Sequence, residues 1–465
     1  MSSSVEDRSP TPSQSPTLEL RNPADGAVSR RIELCDASAV DRAVDRAAAA
    51  FPGWKAVTPN DRTRALRRFA EAIADDAENL ARLDTLDMGM PISSSRWCAN
   101  TAAEVIHYYA GAIDKHLGHT YPVADGVSMT FHEPFGVVGA IIPWNFPVLI
   151  AAWKIGPALA CGNTVVLKPS EFTSSSATRL AELALASGLP EGVLQVVVGT
   201  GDVAGWRLVE HPLVRKIGFT GSTAVGRRIM AGCAESLKRV TLELGGKSAN
   251  IVFADTDIEA VAAAAPGAVF DNSGQDCCAR SRVLVQRPVF DRFVAAMIDA
   301  ASRIVVDDPL LESTQMGPLF ARHHLDRVRA IMEGTEPTWR GSAPTNGGYW
   351  YPCTIVAPAD PRSRLCTDEI FGPVATVIPF DDEADAIRLA NDSPYGLSGS
   401  IWTADAARAM RVARAIEGGT LSVNSNSSVR FSTPFGGFKQ SGIGRELSMT
   451  AMDHYSELKT VFWRS

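Results

Sequence analysis

At 465 residues the chain is too long for one simple core, and division into two or three lobes is expected. Its net charge of -7, from 45 basic and 52 acidic residues, provides no electrostatic footprint for nucleic acid, and a composition 45% hydrophobic and 21% charged is that of an ordinary soluble globular protein. The longest apolar stretches, 137–142 and 148–160, are too short to span a bilayer and are broken up by Pro143, Asn145, Pro147, Lys154 and Pro157, so no membrane partner is expected.

The opening segment 1–16 has no apolar run of the kind a secretory signal carries, and reads as a disordered leader. Eight cysteines scattered over a chain of this size point to a reduced, cytoplasmic setting rather than a disulfide framework. Residues 40–56 and 61–85 are predicted helices, the second with Leu66, Phe69, Ile73, Ala77, Leu80 and Leu83 at three- and four-residue spacings. From residue 135 the rhythm changes. Short β-branched runs at 137–142, 164–168, 194–198 and 215–219 alternate with stretches rich in alanine and leucine, the βαβ signature of a parallel sheet covered on both faces. The alternation resumes at 250–253, 283–285, 374–379, 397–402 and 420–423, which predicts a second α/β lobe. The junction is placed near LELGGKS at 242–248, where paired glycines interrupt a strand, and the tail 455–463 reads as a late strand.

Five stretches carry candidate chemistry. In PWNFP at 143–147 two prolines fix the backbone around Asn145, which is either a rigid amide donor suited to an oxyanion or an asparagine closing a turn. Past the next strand, Lys168, Ser170 and Glu171 lie at the carboxyl edge of the sheet, where open α/β sheets bind ligands; a carboxylate there accepts ribose hydroxyls and repels a 2'-phosphate, and the plainer reading is a surface pair opening a helix. FTGST at 219–223 follows a strand and opens a helix, either a pyrophosphate seat or simply a turn. Glu243, in LELGG, is a carboxylate among apolar neighbours, fit for a general base, or else a residue on the open side of an edge strand. DNSGQDCCARSR at 271–282 places adjacent thiols, Cys277 and Cys278, in a glycine-containing loop; no metal-ligand spacing is present, and no metal is expected.

Taken in order, PWNFP, FTGST, LELGG, GQDCCARSR, EIFGPV at 369–374 and PFGGFKQSG at 434–442 resemble the aldehyde dehydrogenase superfamily, from about Asn22 to the C-terminus. The family pattern Gly-Gln-x-Cys selects Cys277. The resemblance implies that Cys277 attacks an aldehyde carbon, that Asn145 and the Cys277 N–H hold the oxyanion, and that Glu243 activates the water that hydrolyses a thioester. It implies NAD as cofactor, with Ile142, Pro143, Trp144, Lys168, Ser170, Glu171, Gly221, Ser222, Leu244, Glu369 and Phe371 around it. Its fold would be two parallel-sheet α/β domains, a Rossmann-like cofactor domain (17–112 and 133–244) and a catalytic domain (245–440), with a small β bridging region (113–132 and 450–465) supporting a homodimer or homotetramer.

Two departures from the family pattern are an apparent lack of the first hairpin before Asn22 and a short segment at 333–348. Substrate-facing candidates are Phe146, Trp153, Asp271, Asp276, Cys278, Arg430 and Phe435. Asp276, with Asp271, favours a cationic aldehyde, whereas Arg430 favours a carboxylate-bearing semialdehyde. The alternatives to a hydrolytic enzyme are a CoA-acylating one, a thiol hydrolase pairing Cys277 with a histidine, and a family member without turnover.

Overall fold

The computed structural model describes residues 16–464; the expected leader therefore lies, apart from Pro16, outside the described residues. Six strands form the first sheet in the order Gly442–Ile443, Arg239–Glu243, Val214–Thr220, Val137–Ile141, Thr164–Lys168 and Leu194–Val196. All neighbours are parallel except the first pair. Every residue of Val137–Ile141 and of Thr164–Lys168 is buried, as expected of parallel strands covered on both faces. The second sheet has seven strands, ordered Trp339–Arg340, Thr354–Val356, Val374–Phe380, Arg282–Gln286, Ala249–Val252, Ser398–Trp402 and Thr420–Val423. It too is parallel apart from its first pair. The α/β class with two parallel sheets is thus borne out.

A separate antiparallel sheet joins Ser456–Arg464 to Gly126–Pro134 and Thr120–Val123. Among the described residues no helix is long and apolar enough to cross a membrane.

One reading changes. The helix expected over 61–85 is two helices, Pro59–Asp75 and Ala77–Met88, parted at Asp76. Aspartate competes for local backbone donors and is a weak helix former, and here its carboxylate is held by Arg179 at 2.8 and 3.0 Å. The apolar stripe runs on across the break, which is why periodicity alone merges the two. Thr17–Arg21 pairs with Val28–Glu33 through a turn at 22–27, so the strand before Asn22 pairs with one after it, and no hairpin precedes Asn22 among the described residues. That turn is held from just past the segment expected to be short: Tyr349 N–H donates to Pro23 O at 2.8 Å, and the Trp350 indole to Ala24 O at 3.1 Å.

Candidate active site

The strands of the first sheet end at Ile141, Thr220 and Glu243, and the residues that follow them face loops that precede strands of the second sheet: 271–281 before Arg282 and 369–373 before Val374. Between these edges lies a cleft of about 840 Å³. Pro143, Trp144, Asn145, Phe146, Trp153, Gly221, Ser222, Glu243, Leu244, Asp271, Asp276, Cys277, Cys278, Glu369, Phe371 and Phe435 all line it. Ile142, Lys168, Ser170, Glu171 and Arg430 do not. Lys168 and Glu171 pair at 3.3 Å just past the same sheet edge, and the Ser170 hydroxyl caps the Glu171–Thr173 turn by accepting from Phe172 N–H. Arg430 is exposed, its guanidinium donating to Ser427 Oγ and Val429 O of its own loop.

The thiol loop is built by backbone geometry. Asn272, Ser273 and Gly274 are all left-handed, with φ of 48°, 58° and 70°. Such a run is costly for the two residues that carry a Cβ. Side chains hold it in place. The Asn272 amide donates to Asn145 O at 3.0 Å and Gln275 O at 3.3 Å, Ser273 Oγ donates to Gly317 O at 2.7 Å, and Gln275 Oε1 accepts from Phe320 N–H at 3.0 Å. At Gly274 a Cβ would lie 2.2 Å from Gly372 O, so only glycine fits. The Asn145 amide, 6% exposed, donates to Gln275 O at 3.0 Å, which ties it to the loop bearing Cys277 and leaves its second N–H for another acceptor.

Electrostatics separate the groups. The Cys277 thiol is pushed well above its usual pKa, first by the adjacent Cys278 thiol, then by burial and the nearby Asp276 and Glu369 carboxylates. Glu243 is 3% exposed, and neither of its carboxylate oxygens has a hydrogen-bond partner. Burial raises its pKa most, followed by the charge of Glu446, while Lys154 and Arg445 act in the opposite direction. Lys154 and Glu446 form an ion pair with 0% and 1% side-chain exposure. The pair was not foreseen, because Lys154 sits in the otherwise apolar helix Pro147–Ala160 and its partner lies 292 residues away.

Glycines 245 and 246 make room for Glu369. Its Oε1 accepts from Gly246 N–H at 2.9 Å, and a Cβ at Gly245 would stand 2.3 Å from Oε2. Phe371, at φ 59°, meets Trp144 edge-on at 5.4 Å, and Trp144 stacks on Phe320 at 3.6 Å. Phe320, His323, His324 and Arg327 therefore belong to the cleft, although no motif marks them. His324 Nε2 is 2.6 Å from Phe371 O, and burial lowers its pKa to about 4. At the far edge Ser222 caps the helix Thr223–Ala234, and the neighbouring buried Thr220 hydroxyl has no hydrogen-bond partner. A helix start beside an unsatisfied hydroxyl and a glycine is a fitting place for a phosphate group.

Two parallel sheets opposed across a cleft that brings a thiol, a buried carboxylate and a tethered amide together define an α/β enzyme scaffold. The chain belongs to the aldehyde dehydrogenase family, whose family model matches residues 11–461. It is 42% identical to a phenylacetaldehyde dehydrogenase of Pseudomonas fluorescens, over 96% of this chain and 92% of the relative. Among solved structures it resembles a putative aldehyde dehydrogenase from Burkholderia cenocepacia (43% identity, TM-score 0.94, covering 97% of this chain and 94% of that one). It is also similar to betaine aldehyde dehydrogenase from Staphylococcus aureus in complex with NAD+ (35% identity, TM-score 0.94, covering 96% and 92%).

Proposed function

We propose that the chain oxidises an aldehyde to a carboxylic acid with NAD, using Cys277 as nucleophile, Asn145 with the Cys277 N–H as oxyanion donors, and Glu243 as general base. The observation that carries this is the hydrogen bond from the Asn145 amide to Gln275 O, which sets an amide donor against the thiol loop in a cleft that also holds an unpartnered buried carboxylate. NAD suits the cleft and its surroundings: Gly221 and Ser222 suit its pyrophosphate, Glu369, Phe371, Trp144 and Leu244 its nicotinamide end, with Pro143 in the wall between, while Lys168 and Glu171, past the sheet edge outside the cleft, suit its adenosine ribose, and Ile142 lies behind Pro143 in the chain. The staphylococcal relative was solved with this cofactor.

Cys277 releases its thiol proton to solvent water, its sulfur bonds to the aldehyde carbon, and the carbonyl oxygen takes up the negative charge, held by fixed N–H donors. NAD, when bound, supplies a hydride acceptor. Loss of hydride from that carbon leaves a thioester on Cys277. Glu243 then removes a proton from water as the water oxygen bonds to the acyl carbon; the carbon–sulfur bond breaks, returning the thiolate and releasing the acid. The unpartnered Glu243 oxygens suit this task, since no protein group competes for the proton.

Asn145→Ala should lower kcat about 10²–10³-fold, the usual loss for one oxyanion donor, with a smaller change in KM; steady-state kinetics on a small aldehyde measures it. The pH profile gives a second check. Glu243 acts only when ionised, so deacylation strengthens as pH rises through its raised pKa. Glu446→Gln removes a charge that raises that pKa while keeping an acceptor for Lys154, and the rising limb of kcat against pH should move toward acid.

The cleft also bears on substrate charge. Asp271 is exposed at the cleft, yet desolvation by the surrounding chain and the neighbouring Asp276 raise its pKa to about 6. Two carboxylates in an aromatic-walled channel favour an aldehyde bearing a cation, with Phe146, Trp153 and Phe435 as walls. Arg280, whose charge opposes the rise of the Asp276 pKa, is already engaged by Ser400, Ser428 and the Cys278 carbonyl. Asp276→Asn should reduce the ratio of kcat/KM for an amino-aldehyde over a neutral aldehyde of equal length several-fold, and an unchanged ratio would sink this reading.

We read Leu458, Phe462, Trp463 and Phe131, all exposed on the three-stranded sheet, as the contact by which a cytoplasmic homo-oligomer forms. NADH formation from NAD and a panel of aldehydes, with and without CoA, tests the reaction. Acid formed without CoA supports hydrolysis, whereas turnover that requires CoA or proceeds without NAD overturns it. The cleft histidines give the thiol-hydrolase alternative little support, since His324 is committed to the Phe371 carbonyl.

A further inference from the structure

Far from the cleft, three side chains from distant parts of the chain converge. His116 follows the short turn Ile113–Lys115, His132 lies in the strand Gly126–Pro134, and Asp453 ends the helical turn Thr450–Asp453. His116 Nε2 is 2.9 Å from Asp453 Oδ1, and the rings of His116 and His132 are 3.7 Å apart, tilted by 34°. One ring nitrogen of each histidine and a carboxylate oxygen of Asp453 all fall within 4.8 Å of one another.

Ser456 decides what His132 offers. Its hydroxyl donates its single proton to Met452 O at 3.0 Å, so toward His132 Nδ1, also 3.0 Å away, it can only accept. With Ser456 committed in this way a neutral His132 carries its proton on Nδ1 and the lone pair on Nε2; the ring also lies against the Leu117 backbone, a contact that the ion replaces. A metal-binding imidazole is typically oriented in this way, with a protein oxygen on the nitrogen that does not bind the ion.

Two imidazoles and a carboxylate match Zn²⁺ and its neighbours rather than Ca²⁺ or Mg²⁺, which prefer oxygen-rich shells. Donors roughly 2.0–2.1 Å from a tetrahedral ion stand about 3.4 Å from each other. The His116 and Asp453 donors are already at that scale. Asp453 has 60% side-chain exposure, so it can rotate to close the third distance, and water can fill the fourth place.

We propose that His116, His132 and Asp453 form a binding site for a zinc-class divalent metal, with Ser456 as a positioning residue. The ion joins the segment leading into the three-stranded sheet, its central strand and the turn just before its last strand, and so fastens that sheet to the body of the protein. Sequence spacing cannot show such a site, because residues 116, 132 and 453 meet only in the fold.

The other group of ligating side chains among the described residues, Asp276 with Cys277 and Cys278, has to be silenced in the test. Full-length protein, alkylated with iodoacetamide and stripped with EDTA, is titrated with Zn²⁺ and with Co²⁺ by equilibrium dialysis and visible absorption. The expected result is one metal per chain, a Co²⁺ spectrum without thiolate charge-transfer bands, and a zinc-dependent rise of a few degrees in Tm. Asp453→Asn and His116→Gln should each weaken binding at least about tenfold, and Ser456→Ala roughly 10–100-fold. Each variant should keep its metal-free Tm, and Asp453→Asn, an exposed change, remains informative if a histidine variant fails to fold. Uptake that persists in both ligand variants, uptake abolished by alkylation alone, or no uptake at about 1 mM metal overturns the proposal.

Discussion

Cys277→Ser is expected to reduce kcat/KM for aldehyde oxidation by at least about 10³-fold while leaving Tm and cofactor binding nearly unchanged. Serine differs from cysteine by one atom and keeps the bonds of Asn145, Asn272 and Gln275 that shape the loop, none of which uses the sulfur. An alkoxide, however, is far harder to form than a thiolate in a pocket where Asp276 and Glu369 already oppose negative charge. Single-turnover NADH formation, with the acyl adduct mapped by mass spectrometry in the parent protein, provides the test. Intact turnover in the serine variant, or an adduct on Cys278 instead, would remove Cys277 from its role. Cys278 is a fair internal control, being buried and adjacent, with the same chemistry available to it.

Glu243→Gln is expected to separate the two halves of the reaction. If Glu243 serves chiefly to activate water, the glutamine variant should still release a burst of about one NADH per site and then turn over about 10²–10⁴-fold more slowly, the usual contribution of a general base. Because both carboxylate oxygens are buried without partners, the neutral amide should stabilise the fold if it changes it at all. Denaturant unfolding of the variant should therefore show no loss of stability. Loss of the burst itself would reassign Glu243 to deprotonating the thiol, and an unchanged steady-state rate would remove it from the mechanism.

Much of this was legible in the chain because the relevant signals are local. The runs at 164–168 and 420–423 became strands with those bounds, since a short buried β-branched segment needs little context. PWNFP, FTGST, LELGG and GQDC reach the cleft because each is a turn at a strand edge, and turn chemistry is written in adjacent residues. The illegible parts depend on distant partners. Lys154 read only as an interruption of an apolar run, and its meaning came with Glu446. Phe320 and His324 carry no pattern; the first stacks on Trp144 and the second meets it edge-on, which brings them in. Asp76 broke a helix that periodicity had joined, because its partner Arg179 lies on another helix. Arg430, suggestive in the sequence, turned back onto its own loop.

The double grip of the Asn272 amide on the carbonyls of Asn145 and Gln275 means that sulfur and donor travel as one body. If the two lobes breathe to admit reactants, the reacting atoms keep their spacing while the doorway changes. Viscosity or crowding should then alter how fast aldehyde enters and acid leaves, yet leave the bond-making step itself untouched.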